Sequence, residues 1–178
     1  MIHLITVAGQ SARKFHLVEA CISDFKALMR TITSGRVMIV STKFRSDLFY
    51  SAEKPEHDSI LKLWAFYAKA ELSDLNKKEV KTYVGRKASF TEYFQSVNKL
   101  SFSWHYYRLY QKAFYETYSN DQQNPVTMIV VGCDQHLVAH PSITREPLLG
   151  MNQSIKFDLA GDTFMLAMHI LKNETHAN

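Results

Sequence analysis

Eight aromatic side chains fall within the nineteen residues 100–118, near the middle of this chain. The segment reads LSFSWHYYRLYQKAFYETY and holds Phe102, Trp104, Tyr106, Tyr107, Tyr110, Phe114, Tyr115 and Tyr118. Such a density of rings makes either the heart of a core or a recognition face. Read with a period of two, Phe102, Trp104, Tyr106, Tyr110, Phe114 and Tyr118 share one face, with Ser101, Ser103, His105 and Gln111 on the other. Read as a helix from about residue 106, Tyr107, Tyr110, Phe114 and Tyr118 form a stripe. Serines alternate with rings at the start, and Tyr, Trp and Phe suit strands, which favours the strand. Its partner is then 126–138, reached through the turn signal DQQNP.

Arg108 and Lys112 interrupt the inner face of such a strand. The expectation is a core segment that runs out into an exposed aromatic and cationic end. Tyr107, Arg108, Tyr110 and Lys112 form the candidate interface there, rich in the residue types that partners use. Stacking of single-stranded bases, with Arg108 and Lys112 on phosphates, is a further reading. The glycine-flanked aromatic pattern of the common RNA-binding sheet is absent.

The rest of the chain alternates strands and helices without strict βαβ order. Residues 2–8 (IHLITVA) read as a strand, followed by a polar turn, GQSARK. Val18, Cys21, Ile22, Phe25, Leu28, Met29 and Ile32 recur at helical spacing, predicting a helix over 16–32 with Gly35 just beyond it. Residues 36–42 read as a buried strand and 43–56 as a charged connection. A helix is expected over 58–73, with Ile60, Leu63, Trp64 and Tyr67 as its stripe. A short strand or edge over 79–85 and a brief helix over 89–98 come next. VTMIVV (126–131) reads as a buried strand and 141–147 as an irregular loop. Residues 154–159 and 163–171 read as a hairpin about Ala160, Gly161 and Asp162. The fold class is therefore α+β, a largely antiparallel sheet packed against two or three amphipathic helices. With 178 residues and only 6 Gly and 4 Pro, one globular domain over 1–172 and a flexible tail at 173–178 are expected.

Charge is unevenly spread. Residues 1–118 carry 18 Lys plus Arg against 11 Asp plus Glu, whereas 119–178 carry 3 against 6. The basic run Lys77, Lys78 and Lys81, with Arg86 and Lys87 soon after, is relieved only by Glu79. Arg13 and Lys14 form a second small cluster. Clustered cations suit nucleic acid, whose neutralised phosphates release counterions, or an anionic membrane surface. No apolar run approaches the length of a bilayer span. MIHLITVAG is too short for a signal peptide and has no basic region ahead of it, so a cytoplasmic location is expected. The acceptor pattern Asn173, Glu174, Thr175 carries no meaning without a secretory route.

Catalytic signatures are weak. Cys133, His136 and His140 have the form C-x2-H-x3-H, which resembles metal-ligand spacing. An extended backbone there would hold the two histidines about 13 Å apart, too far for one ion, so no metal or cofactor is expected. Any accessible histidine is a nominal base, and His105, His136 or His140 would qualify only beside a carboxylate in one pocket. Gly9, Gln10 and Ser11 follow a strand as a phosphate-cradling turn does, but without the other glycines or the motif lysine. Cys21 and Cys133 read as small buried hydrophobes.

The first third resembles the matrix proteins of rhabdoviruses, in their short plant-virus form. The resemblance lies in IHLITV, the turn GQSARK, Phe15 leading an amphipathic helix, then Gly35, Arg36 and VMIVST. It covers about 45 residues and lacks the basic disordered tail common in that family. Membership implies a structural protein, located in host cytoplasm or virion, that self-associates and contacts nucleocapsid and inner membrane. The leading expectation is accordingly a non-enzymatic protein acting through surfaces. A nucleic-acid-binding accessory factor and a small hydrolase or transferase with a dispersed histidine site are the alternatives.

Overall fold

The computed structural model describes residues 1–151 and 161–175. The chain forms two compact units, Met1–Arg86 and Lys87–Asn178. The first carries 14 Lys plus Arg against 9 Asp plus Glu, a net +5, and the second 7 against 8.

In the first unit, strand β1 (Ile2–Ala8) leads into helices α1 (Gly9–Lys14) and α2 (Glu19–Met29). Strands β2 (Met38–Ser41) and β3 (Arg45–Ser51) follow, then helix α3 (His57–Ala68), a 3-10 turn (Leu72–Asp74) and strand β4 (Val80–Val84). The sheet order is β2-β3-β1-β4 and every pair is antiparallel. Strand β3 thus lies between two strands joined through helices, the split β-α-β topology of ferredoxin-like domains. The expected α+β class with an antiparallel sheet holds.

Register puts Ile5 opposite Leu48 and Leu48 opposite Ile39, on one sheet face. These residues form a core with Phe15, Phe25, Met29, Ile60 and Trp64 from the helices. The Trp64 indole N–H donates to the Phe15 carbonyl at 2.8 Å, so its one polar atom is satisfied in the core. Residues of the alternate face, Leu4, Phe49, Met38 and Val40, are buried too. That explains the near-continuous apolar runs of β1 and β2.

Strand β3 occupies what the sequence suggested was a charged connection. Its charges are paired rather than solvated: Arg45 grips Asp47 through Nε (2.6 Å) and Nη2 (2.9 Å), and the Thr6 hydroxyl donates to the same carboxylate at 2.7 Å. Arg45 and Asp47 sit two apart, so they share a face and can meet.

The second unit is helical among the described residues. Helix α4 (Arg86–Ser101) crosses the unit boundary at its first residue and is followed by α5 (Trp104–Asn120), α6 (Pro125–Val138) and α7 (Gly161–Thr175). This corrects the expected strand pair 101–118 with 126–138. Tyr107, Tyr110, Gln111 and Phe114 form the buried stripe of α5, at spacings of three and four. The VTMIVV run is the start of α6. Asn124 caps it, its side chain accepting from the N–H groups of Val126 (3.0 Å) and Thr127 (3.4 Å), with Pro125 at the first helical position. A short apolar run fits a buried helix as well as a strand, so period alone could not separate them. Residues 163–171, expected in a hairpin, are helical in α7, while 154–159 lie outside the described residues.

A loop over 139–150 is tied down by polar contacts. Arg145 Nη2 lies 2.6 Å from the buried Asp134 carboxylate, off the line of a good hydrogen bond, and Arg145 Nε donates to Asn98 Oδ1 at 2.6 Å. Asp134 also accepts the Leu148 N–H at 2.7 Å. The Tyr107 hydroxyl donates to the Glu146 carbonyl at 2.5 Å, and burial pushes that phenol up to about 12. Removing one member of a buried pair leaves an uncompensated charge. Arg145→Met should therefore lower the unfolding free energy by about 3–5 kcal/mol. The double variant Asp134→Leu/Arg145→Met should recover much of that loss, as read by urea titration.

Candidate functional site

The basic residues of the first unit are organised around one carboxylate. Glu79 immediately precedes β4, and its side chain reaches the first turn of α1. Its Oε2 accepts from the Ser11 N–H (2.9 Å) and the Ser11 hydroxyl (2.7 Å), and its Oε1 accepts from the Gln10 N–H (3.2 Å). These donors hold the Glu79 carboxyl below its ordinary range, the Ser11 hydroxyl contributing most. Ser11 Oγ also accepts the Asn76 N–H at 2.9 Å. Gly9, Gln10 and Ser11 do sit at an anion-accepting helix start, and the anion is internal.

Gly9 makes this approach possible. It sits at φ +59°, a region costly for any other residue, and a Cβ there would overlap the Glu79 carboxylate. Gly9→Ala should lower the unfolding free energy by about 1–2 kcal/mol from the backbone alone, and more where Glu79 is displaced. Urea titration of wild type, Gly9→Ala, Glu79→Ala and the double variant separates the two contributions, because shortening residue 79 removes the overlap and leaves the backbone cost.

At the other end of α1, Lys14 Nζ lies 2.5 Å from Asp74 Oδ1, and this lysine is the main reason the Asp74 carboxyl is held low. The segments 10–14 and 74–79 therefore run side by side. Arg13 and Lys14 thus come to lie near Lys77 and Lys78, far apart in sequence, while Lys81 follows on the edge strand β4 opposite Thr6. Arg13, Lys77, Lys78 and Lys81 are exposed, and none is in an ion pair among the described residues. Arg86 is half-buried and engaged at the end of the first unit, and Lys87 is exposed at the start of the second. Asp74 and Glu79, the acids flanking the lysine run, both turn to α1, Asp74 to the Lys14 ammonium and Glu79 to neutral donors.

The aromatic candidates divide differently from the expectation. Tyr107 and Tyr110 point into the second unit, the Tyr110 hydroxyl donating to Tyr93 Oη at 3.2 Å. Arg108 and Lys112 are exposed. The rings exposed beside them are Trp104, 69 % exposed, and Phe102, 87 % exposed, which the strand reading had turned inward. Arg108 lies over the Trp104 ring, 5.5 Å from its centroid.

The Cys133, His136 and His140 set disperses, with Cys133 and His136 on helix α6 rather than the extended backbone expected and His140 in the loop beyond it. The Cys133 thiol donates to the Thr163 carbonyl at 3.5 Å, His136 packs edge-on to Phe164, and His140 Nδ1 bonds Ser142 at 2.7 Å. His105 is exposed and packs against Tyr106. Among the described residues no three metal-ligating side chains converge, and no helix is long and apolar enough to cross a membrane.

A cluster that sequence reasoning missed joins His3, Tyr50 and His57. The His3 and Tyr50 ring centroids are 5.1 Å apart, and His57 lies 6.0 Å from His3 and 5.9 Å from Tyr50. His3 Nε2 bonds the Ala52 carbonyl at 3.2 Å, while His3 Nδ1 and His57 Nε2 are buried without partners. Burial lowers both imidazole pKa values, and the neighbouring His3 lowers His57 further. The unfolded chain then takes up protons before the folded one. The stability that the neutral pair contributes is complete above about pH 6.5, the ordinary histidine value, and is lost as pH falls below it. NMR titration should place both midpoints below the ordinary histidine value. His3→Gln should move the His57 midpoint upward.

Compared with known protein families, curated proteins and solved structures, the chain matches none.

Proposed function

We propose that this chain is a non-enzymatic structural protein that binds an anionic polymer, a nucleic acid or nucleoprotein, through the basic corner of its first unit. The observation that carries the reading is the fate of Asp74 and Glu79. With Asp74 paired to Lys14 and Glu79 held by neutral donors of α1, neither acid forms an ion pair with Arg13, Lys77, Lys78 or Lys81, and the five cations of the two clusters outnumber these two carboxylates. Phosphate polymers meet such a surface by releasing counterions, which needs charge density rather than a shaped pocket. The matrix-protein resemblance implies the same class of work, and self-association belongs to the proposal, read by light scattering against concentration.

Binding to a labelled single-stranded RNA, followed by anisotropy across a salt series, tests the reading. Log affinity should fall linearly with log salt. Lys77→Glu/Lys78→Glu/Lys81→Glu should weaken binding at least tenfold and flatten the slope by roughly 2, about 0.7 for each lost contact. Salt-independent binding, no binding, or an unaffected variant would overturn it.

A further inference from the structure

We propose that the turn between α4 and α5 is an interfacial anchor that docks on an anionic lipid bilayer. This surface lies in the second unit and does not depend on the basic corner of the first. Only Phe102 and Ser103 separate the two helices. Backbone hydrogen bonds from Phe102 to Lys99 (3.3 Å), Ser103 to Leu100 (3.0 Å) and Tyr107 to Ser103 (2.9 Å) hold the turn. Phe102 and Trp104 therefore project from a rigid end, and Tyr106 and Leu109 are exposed beside them. Apolar rings this exposed mark an interaction site.

Charge selects the occupant. No Asp or Glu occurs from Tyr93 through Tyr115, a stretch that carries Lys99, Arg108 and Lys112. The one acid known to reach these cations is Glu146, 3.3 Å from Arg108, and both of those side chains are exposed. Along α5, Arg108 lies about 6 Å and Lys112 about 12 Å beyond Trp104 at the helical rise. Rings at the tip with cations behind them match the depth order of a membrane interface. Aromatic side chains sit at the acyl boundary and Lys or Arg at the phosphates. A single-stranded nucleic acid asks for rings laid along a cationic groove with open faces. Here the rings lead the cations, and Arg108 already covers a face of Trp104.

The chain reports on this site itself. Of its two tryptophans, Trp64 is fully buried and hydrogen-bonded, so a change in emission on adding vesicles belongs to Trp104. Vesicles of phosphatidylcholine with about 30 % phosphatidylserine should shift the emission to the blue and co-sediment the protein. Vesicles of phosphatidylcholine alone should do so weakly. Phe102→Ser/Trp104→Ser, with far-UV circular dichroism unchanged, should weaken sedimentation at least about tenfold. Lys99→Glu/Lys112→Glu should weaken both readouts. Lys77→Glu/Lys78→Glu/Lys81→Glu should leave the emission shift intact, which separates this site from the polymer-binding corner. The proposal is overturned by an unshifted emission on anionic vesicles or by undiminished sedimentation of the Phe102/Trp104 variant. An emission change produced by single-stranded RNA but not by vesicles would also overturn it.

Discussion

The Glu79 carboxylate takes three donors from the first turn of α1, and much of the first unit follows from that contact. It fastens the approach to β4 onto the helix that leaves β1, while β4 pairs along the edge of β1. It requires a glycine at position 9, because the carboxylate fills the space a side chain would take. It also turns the one acid in a run of lysines toward α1, so that the carboxylate, still ionised, serves the fold rather than an ion pair with those lysines.

The second unit depends on Asp134 in a comparable way. Its carboxylate faces Arg145 and receives the Leu148 N–H, so the 139–150 loop is held against α4, α5 and α6. In both units a carboxylate bridges segments distant in sequence, half-exposed at Glu79 and buried at Asp134. Asp47 repeats the theme within the sheet, accepting from Thr6 and Arg45. Other buried polar atoms have no hydrogen-bond partner, among them nitrogens of His3 and His57. These two histidines add a pH-sensitive pair at the junction of β1, β3 and α3.

The exposed surfaces of the two units differ in kind. One is charge-dense and nearly free of exposed rings, and the other is led by rings with cations behind them. Polyanion binding needs only the first kind, and an interface between water and lipid suits the second. The exposed rings of α5 were legible in composition but not in placement. Tyr107 and Tyr110 look as sticky as Trp104 in the sequence. Only the phase of the helix turns the first two inward and the last outward.

By itself, the amino-acid sequence determined the α+β class, strands β1, β2 and β4, and helices α2, α3 and α4. It also marked the lysine run and the cluster at Arg13 and Lys14. Each of these rests on local pattern: apolar periodicity, a stop signal or clustered charge. Tertiary structure alone decided the rest. β3 hid because Arg45 and Asp47 read as solvated charges until they pair. α5 and α6 hid because rings and β-branched residues suit a strand locally, and burial against other helices overrides that preference. The meeting of residues 10–14 with 74–79 was beyond any local reading. It depends on a carboxylate and a helix start more than sixty residues apart, and no window of the sequence holds both.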